Sequence, residues 1–229
     1  MIAVPSVRGV LFDLDGTLAD TAPDLVAVLN RLLHELGRAP MPYAIARNEV
    51  SNGALGLLRL GLGLNPDDEV DAALRQRFLD VYEADICAAT TYFLDPDRIA
   101  RICEPWGALW GIVTNKPMRL TQALLDRLPP GQPACVVAGD TLARRKPHPD
   151  PLLHAAGLIG ISPAQCVYVG DSRRDITAGI AAGMRTMAVG YGYIRLNDRI
   201  DDWGASTTAR TPVDVYRRVS EMLEAGGSA

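Results

Sequence analysis

Two aspartates near the start of the chain carry the clearest chemical signal. Asp13 and Asp15 follow an apolar run at residues 10–12, and a Gly-Thr turn comes directly after them. A turn at the end of a strand lets both carboxylates reach a common site. Two carboxylates held together away from water repel each other unless a cation lies between them. The pair therefore predicts a divalent metal with oxygen ligands, namely Mg²⁺, and an ordinary Asp-rich turn is the alternative.

Three further groups of polar residues follow apolar runs that are typical of buried strands. In chain order they are Thr114 and Asn115 after residues 109–113, Lys146 after residues 134–138, and Asp171 and Asp175 after residues 166–169. Sites in parallel α/β sheets lie at the carboxyl ends of the strands, so we expect all four groups to meet at one edge. The alternatives are an N-cap for Thr114 and a solvated first-turn position for Asp175.

The order of these motifs resembles that of the haloacid dehalogenase-like hydrolases. The chain shows Asp-x-Asp-Gly-Thr, then Thr, then Lys-Pro, then Gly-Asp-Ser-x-x-Asp, and the resemblance covers residues 7–190. It implies a Rossmann-like, doubly wound core with an inserted helical cap. It also implies Mg²⁺-dependent phosphoryl transfer in two steps, through an aspartyl-phosphate.

The resemblance further implies a role for each residue. Asp13 is expected to attack phosphorus and, with Asp171 and the main-chain carbonyl of Asp15, to bind Mg²⁺. The Asp15 side chain would protonate the leaving group and later accept a proton from water. Asp175 would orient the site by holding the ligands from behind, or would bind the metal through a water molecule. The phosphoryl oxygens would contact Thr114, Asn115 and Lys146.

The remaining pattern predicts an α/β fold made of two domains. After residue 90, helices alternate with strands, which indicates parallel strands joined by right-handed crossovers in a doubly wound sheet. The predicted strands are 109–114, 134–138, 166–170 and 185–189, and the predicted helices are 97–104, 121–128, 149–158 and 173–182. Residues 1–18 and 90–229 are predicted to form the core domain, and residues 19–89 an all-helical cap domain.

Within the predicted cap, residues 20–37 have an apolar face at helical spacing, and a long helix is predicted from Pro66. The core motifs recognise only phosphate and metal, so we expect the cap to select the leaving group. The candidates lie in or beside a loop predicted at residues 49–53, and they are Arg47, Ser51, Asn52 and Gly53. The alternative is that Asn52 and Gly53 only form a turn with positive φ.

Several reactions remain open. Asp15 argues against dehalogenation, and the absence of lysine from residues 20–89 argues against phosphonate cleavage through a Schiff base. The segment 12–25 resembles phosphoglycolate phosphatases, which makes 2-phosphoglycolate the expected substrate. Residues 191–194 and 203–205 resemble phosphatases of N-acetylmuramic acid 6-phosphate, the first alternative. The sequence is also consistent with a phosphomutase and with a non-catalytic protein that binds a phosphorylated metabolite.

The composition of the chain limits the classes of binding partner that we expect. The 229-residue chain has a formal net charge of −4, which argues against nucleic acid, and no apolar run is long enough to cross a membrane. The four cysteines are widely spaced and no secretory signal is recognisable, so a cytoplasmic protein with reduced thiols is expected. We expect a small phosphorylated metabolite as the partner, and a monomer or a homodimer as the oligomeric state.

Overall fold

The computed structural model describes residues 6–227, and within them the chain forms eight strands and nine α-helices. The strands are β1 (Gly9–Phe12), β2 (Ala19–Asp20), β3 (Thr91–Tyr92), β4 (Leu109–Val113), β5 (Val136–Val137), β6 (Cys166–Gly170), β7 (Arg185–Val189) and β8 (Thr207–Ala209). The helices are α1 (Ala22–Glu35), α2 (Tyr43–Ala46), α3 (Gly53–Leu62), α4 (Ala72–Ala84), α5 (Pro96–Cys103), α6 (Met118–Arg127), α7 (Asp150–Leu158), α8 (Arg173–Ala181) and α9 (Pro212–Gly227). Residues 1–5 and 228–229, which the predicted core domain includes, lie outside the described residues.

Six of the strands form one parallel sheet in the order β5-β4-β1-β6-β7-β8. Strand β1 lies near the centre of this sheet, and its four residues are buried. Val10 and Phe12 belong to one buried apolar cluster and Leu11 belongs to another, so both faces of the strand are covered. Burial on both faces explains why the strand reads as a continuous apolar run. The predicted α/β fold with a doubly wound parallel sheet is confirmed.

The sheet differs from the sequence prediction at its edges. Strand β5 covers two residues of the predicted 134–138, since only Val136 and Val137 pair with β4. Strand β8 and helix α9 were not predicted. Strand β8 has three residues, which is too short for a periodic pattern, and it is recognisable only because it pairs with β7.

The chain leaves the sheet after β1 and comes back to it through a two-stranded ribbon. Strands β2 and β3 pair antiparallel, with Ala19 opposite Tyr92 and Asp20 opposite Thr91. Helices α1 to α4 lie between the two strands of the ribbon, and α1 packs against both α3 and α4. The domain borders near residues 19 and 89 stay a prediction, which the position of the ribbon supports. Across residues 6–227, no helix is both long and apolar enough to cross a membrane.

Two elements of the helical block end or begin elsewhere than predicted. Helix α1 ends at Glu35, and Leu36 is exposed just beyond it. A 3₁₀ helix at Arg47–Asn52 takes the place of most of the loop predicted at residues 49–53.

Helix α4 begins at Ala72, whereas Pro66 was predicted to start it. The carboxylate of Asp68 accepts the N–H of Asn65 at 2.7 Å, which closes a turn over the residues that were assigned to the first helical turn. The helix starts after this turn, where the Asp71 side chain accepts the N–H of Leu74 at 2.8 Å and acts as the N-cap.

A buried carboxylate joins the start of the helical block to its end. Asp24, in the first turn of α1, is 5% exposed. It accepts the N–H of Ala89 at 2.7 Å, the N–H of Thr90 at 3.1 Å and the Thr90 hydroxyl at 2.6 Å. These three hydrogen bonds to one carboxylate hold the segment that precedes β3 against helix α1, which follows β2.

We expect Asp24→Ala to lower the free energy of unfolding by about 3 kcal/mol, because three donors lose a charged acceptor in a buried place. Urea denaturation measures this loss. Asp126→Ala is the matched control, since Asp126 is an exposed helical aspartate whose one side-chain hydrogen bond within residues 6–227 is to Gln122. The control should change stability by no more than about 0.5 kcal/mol. A similar, small effect of both substitutions would show that Asp24 does not hold the two segments together.

Candidate active site

The ends of β1, β4 and β6 bring the predicted residues to one edge of the sheet. Asp13 follows β1, Thr114 follows β4 and Asp171 follows β6. The ladder of backbone hydrogen bonds continues into this edge, since the Asp13 N–H donates to the Val169 carbonyl and the Thr114 N–H to the Val137 carbonyl, both at 2.9 Å. The backbone hydrogen bonds of the sheet therefore fix the main-chain positions of these residues.

The buried ammonium group of Lys146 lies at the centre of this edge. Its Nζ is 2.9 Å from Oδ1 of Asp13 and 2.7 Å from Oδ1 of Asp175. It also donates to the Val113 carbonyl at 3.0 Å and to the Tyr168 hydroxyl at 2.7 Å. Burial alone would lower the pKa of Lys146, but the two carboxylates raise it above its ordinary value. The site therefore contains a fixed positive charge.

The Asn115 side chain holds the loop that carries Lys146. Its Nδ2 donates to the Lys146 carbonyl at 2.9 Å, and its Oδ1 accepts the Lys146 N–H at 3.1 Å. The Thr114 hydroxyl accepts the N–H of Lys116 at 3.1 Å, and Thr114 is not the N-cap of α6, a position that Pro117 occupies. The three residues predicted to contact phosphoryl oxygens thus lie together, and their contact with phosphate stays a prediction.

Three carboxylates lie close enough together to share a metal ion. One oxygen from each of Asp13, Asp171 and Asp175 lies within 4.8 Å of the others. Burial, followed by the charge of Asp13, raises the pKa of Asp171 to about 8. Burial also raises the pKa of Asp13 to about 6, although Lys146 opposes this shift. Two buried carboxylates and the partly buried Asp13 beside one positive charge are unfavourable, so this acid cluster fits a divalent cation.

One oxygen of Asp171 has the property expected of a metal ligand. Its Oδ2 accepts the N–H of Tyr193 at 2.7 Å and lies 3.3 Å from the Ser51 hydroxyl. Its Oδ1 is buried and has no hydrogen-bond partner within residues 6–227, a state that ordinary buried polar groups avoid. Gly16 and Gly192 pack so closely on this carboxylate that a Cβ at either position would collide with it.

The Asp15 carboxylate has partners of its own, outside the acid cluster. Its Oδ1 accepts the Thr21 hydroxyl at 2.6 Å and the Lys116 ammonium at 2.8 Å. The buried Lys116 also donates to the Tyr82 hydroxyl of α4 at 3.1 Å. Burial would lower the pKa of Lys116, but Asp15 and Tyr82 raise it overall. Whether the Asp15 main-chain carbonyl binds a metal stays a prediction.

Sequence reasoning missed three residues of this site, namely Lys116, Thr21 and Tyr193. The available signal for Lys116 was its position two residues after the predicted phosphoryl-binding threonine. The Tyr193 hydroxyl accepts the N–H groups of Thr21 and Ala22 at 2.7 and 2.9 Å, and it donates to Asp20 at 2.9 Å. No local pattern could reveal this contact, because it spans 172 residues of sequence.

The four predicted cap residues take different positions. Ser51 and Asn52 line a cavity beside the acid cluster. Arg47 instead donates to the main-chain carbonyls of residues 191 and 192, at 3.0 and 2.7 Å, and does not line that cavity. Gly53 has a φ of 63° and does not line it either, which agrees with the turn that was the alternative for this position.

This cavity has a volume of about 350 Å³ and lies between the 3₁₀ helix Arg47–Asn52 and the start of α8. Asp171 lies in its wall, so the cavity reaches the acid cluster. Arg174 and Trp203 lie in other parts of the wall and belong to the core side of the chain. The cavity is therefore a space that a group attached to a phosphoryl oxygen could occupy.

The parallel sheet and the acid cluster at its carboxyl edge define an α/β protein whose site lies at the strand ends. A family model described as haloacid dehalogenase-like hydrolase matches residues 7–183. The chain belongs to this hydrolase family, as the motif order predicted.

Two similar relatives are named as phosphatases. The chain is 39% identical over 221 residues to an N-acetylmuramic acid 6-phosphate phosphatase of Pseudomonas aeruginosa, with 95% of each chain covered. It is 42% identical over 214 residues to a phosphoglycolate phosphatase of Xanthomonas campestris pv. campestris, with 91% of this chain and 95% of the relative covered. The crystal structure of a predicted phosphoglycolate phosphatase from Haemophilus somnus has a TM-score of 0.81 at 23% identity, covers 94% of this chain and 99% of its own, and confirms the fold.

We expect the metal-free protein to become less stable as the pH rises from about 4 to about 8. The folded-state pKa values of Asp13 and Asp171 lie above the ordinary value of 3.8, at about 6 and about 8. Between these limits the folded chain binds more protons than the unfolded chain, so raising the pH favours unfolding. Thermal unfolding in EDTA across this range measures the effect.

Asp171→Asn is the informative comparison for this prediction, because it removes the titrating group while keeping its size. The variant should lose less stability than the parent between pH 5 and pH 8. An added divalent cation should stabilise the parent more at pH 8 than at pH 5, since it replaces protons on the cluster. If the stability of the two proteins in EDTA changed with pH to the same extent, this account of Asp171 would be ruled out.

Proposed function

We propose that this chain is a Mg²⁺-dependent phosphatase that acts on a small phosphorylated metabolite through an aspartyl-phosphate. The hydrolase family and the phosphatase relatives support the reaction class, and Mg²⁺ is typical of the family. The observation that carries the proposal is the 2.9 Å contact of Lys146 with Asp13, next to an acid cluster that fits a divalent cation. Such a site combines an anionic nucleophile with the positive charge that a phosphoryl group needs.

Asp13 is the nucleophile in this proposal. Its Oδ1 accepts the Leu14 N–H at 2.8 Å and contacts Lys146, which leaves Oδ2 to attack phosphorus. The Asp13 side chain is 13% exposed and that of Asp175 is 0% exposed, while Asp171 is buried. Asp13 is thus the member of the acid cluster that a substrate can reach. As its bond to phosphorus forms, the bond from phosphorus to the leaving oxygen breaks.

Asp15 is the general acid and base. Thr21 and Lys116 both bind its Oδ1, so Oδ2 is the oxygen available for proton transfer. The side chain is 18% exposed, which allows contact with a substrate. Asp15 gives a proton to the leaving alkoxide, and later takes one from the water that attacks the aspartyl-phosphate. Release of phosphate restores the Asp13 carboxylate.

The phosphoryl oxygens are bound by Thr114, Asn115 and Lys146. The Thr114 oxygen already accepts the Lys116 N–H, so its own proton is free to be donated to the phosphoryl group. Asn115 contributes its main-chain N–H, while its side chain fixes Lys146 in place. Lys146 adds charge that balances the transferring group.

Asp13, Asp171 and the main-chain carbonyl of Asp15 are the ligands that we propose for Mg²⁺. When bound, the ion would neutralise and orient the phosphoryl oxygens. Asp175 holds the Lys146 ammonium at 2.7 Å and so orients the site indirectly.

2-Phosphoglycolate is the first substrate that we propose, supported by the Xanthomonas relative and by the resemblance of segment 12–25. N-acetylmuramic acid 6-phosphate is the second candidate. It is supported by the Pseudomonas relative and by the volume of about 350 Å³ beside the acid cluster, which has room for a sugar. A phosphomutase would return an isomer of its substrate, so measuring inorganic phosphate separates it from both.

Purified protein should release inorganic phosphate from p-nitrophenyl phosphate with Mg²⁺, and EDTA should abolish the release. Asp13→Asn keeps the size of the side chain but removes the nucleophile, so kcat/KM should fall by several orders of magnitude, on the order of 10³ or more. Circular dichroism checks that the variant folds. Near-native turnover by Asp13→Asn would sink the assignment, and phosphate release that resists EDTA would sink the metal dependence.

Asp15→Asn should lower kcat/KM by different factors for different substrates. General acid catalysis contributes about 10²–10⁴-fold, and an alkoxide needs the proton far more than p-nitrophenolate does. The loss of kcat/KM should therefore be much larger for 2-phosphoglycolate than for p-nitrophenyl phosphate. Equal losses on the two substrates would contradict the role of Asp15 as the acid.

A further inference from the structure

The guanidinium group of Arg174 lies in the wall of the cavity and is bound only by neutral groups. Its Nε donates to the Ser172 hydroxyl at 3.0 Å, and one terminal nitrogen donates to Oδ1 of Asn52 at 2.7 Å. None of the ion pairs within residues 6–227, to a limit of 4.0 Å, includes Arg174. A guanidinium in a cavity wall with no anionic partner of its own can bind an anionic group of a ligand.

The two other arginines of the cavity wall have carboxylate partners. Arg195 lies 2.7 Å from Glu49, and Arg173 lies 3.9 Å from Asp198. Among these three arginines, Arg174 alone has no carboxylate within 4.0 Å in the described part of the chain. Its charge is therefore open to an anionic group of a ligand.

The free donors of Arg174 suit an anion with two acceptor oxygens, such as a carboxylate. Asn52 and Ser172 occupy one terminal N–H and the Nε–H, so the second terminal nitrogen keeps both of its protons. A planar carboxylate can accept from the two terminal nitrogens together, which is the usual bidentate arrangement. The Asn52 contact also fixes the guanidinium on the side of the cavity that faces the 3₁₀ helix.

We propose that Arg174 binds a carboxylate on the leaving group, so that the substrates are phosphomonoesters that carry a second, carboxylic acid group. The proposal rests on the proposed function, because the phosphoryl group must lie at Asp13 for the rest of the substrate to enter the cavity. Asp171 and Arg174 line the same cavity of about 350 Å³, which lets one molecule reach both. Arg174 is thus a specificity-determining residue on the core side, in contact with Asn52.

Matched pairs of substrates test this proposal. 2-Phosphoglycolate is compared with 2-hydroxyethyl phosphate, and N-acetylmuramic acid 6-phosphate with N-acetylglucosamine 6-phosphate. Only the first member of each pair has a carboxylate, and the two pairs distinguish a short acid from a sugar acid. In at least one pair, the parent protein should prefer the carboxylated member.

Arg174→Gln should raise KM for the preferred carboxylated substrate about 10- to 100-fold more than for its partner without a carboxylate, since a charge-assisted contact is lost. Arg174→Lys should recover part of this discrimination, because it keeps the charge without the planar fork. Arg173→Gln removes the neighbouring arginine, whose charge Asp198 already faces, and should change the discrimination much less. Thermal unfolding of each variant checks the fold.

The alternative is that Arg174 only clamps the 3₁₀ helix to the core through Asn52. In that case Arg174→Gln would weaken both members of each pair equally, which would overturn the proposal. A loss of discrimination in Arg173→Gln and not in Arg174→Gln would overturn it as well.

Equilibrium binding keeps this inference separate from the proposed function. Titration calorimetry with the Asp13→Asn protein measures the affinity for each member of a pair, with and without Arg174→Gln. If the parent protein hydrolyses none of these esters, nor p-nitrophenyl phosphate, the proposed function fails. The Arg174-dependent preference for carboxylated ligands would then still appear in binding, and its absence there would refute the role of Arg174.

Discussion

The active-site edge depends on the balance between the carboxylates of Asp13, Asp171 and Asp175 and the ammonium group of Lys146. This group lies between Asp13 and Asp175 at 2.9 and 2.7 Å. It is fixed by the Val113 carbonyl of β4 and the Tyr168 hydroxyl of β6, the two strands that flank β1. Without it the carboxylates would be left buried and unpaired, which is strongly destabilising. The contacts of Lys146 therefore both connect the central strands and balance the charges of the site.

The helical block contributes to this site in more ways than by covering it. Its contacts with charged groups of the core include those of Ser51 with Asp171, Tyr82 with Lys116, and Asn52 with Arg174. A displacement of the block would expose all of these core groups to water at once. Charged interactions weaken as water enters, so the position of the block and the strength of the electrostatic field at the phosphoryl site change together.

The parts of the site that follow strands were predictable because the signal is local. Asp13 and Asp171 each end an apolar run, and parallel strands place such ends at one edge. The hydrogen bonds of Tyr193 to Thr21 were not predictable, since they join positions 172 residues apart and no pattern near either residue records them. The start of α4 was misplaced for a different reason. Side-chain hydrogen bonding by Asp68 favours a turn, and this local competition outweighed the helix signal of Pro66 and its acidic neighbours.

The central position of β1 has a consequence for how the protein is made. Gly9 lies beside Leu109 on one side and Cys166 on the other, about 100 and 157 residues further along the chain. Strands so far apart in sequence pair slowly, because a long loop must close, with a loss of chain entropy, before the strands make any stabilising contact. The strand that presents Asp13 emerges during synthesis before the other strands of its sheet, yet it acquires its second neighbour only when most of the chain exists. Both edges of this strongly apolar strand are unpaired until β4 is made, and one edge stays unpaired until β6 is made, which exposes the nascent chain to wrong pairing while synthesis continues.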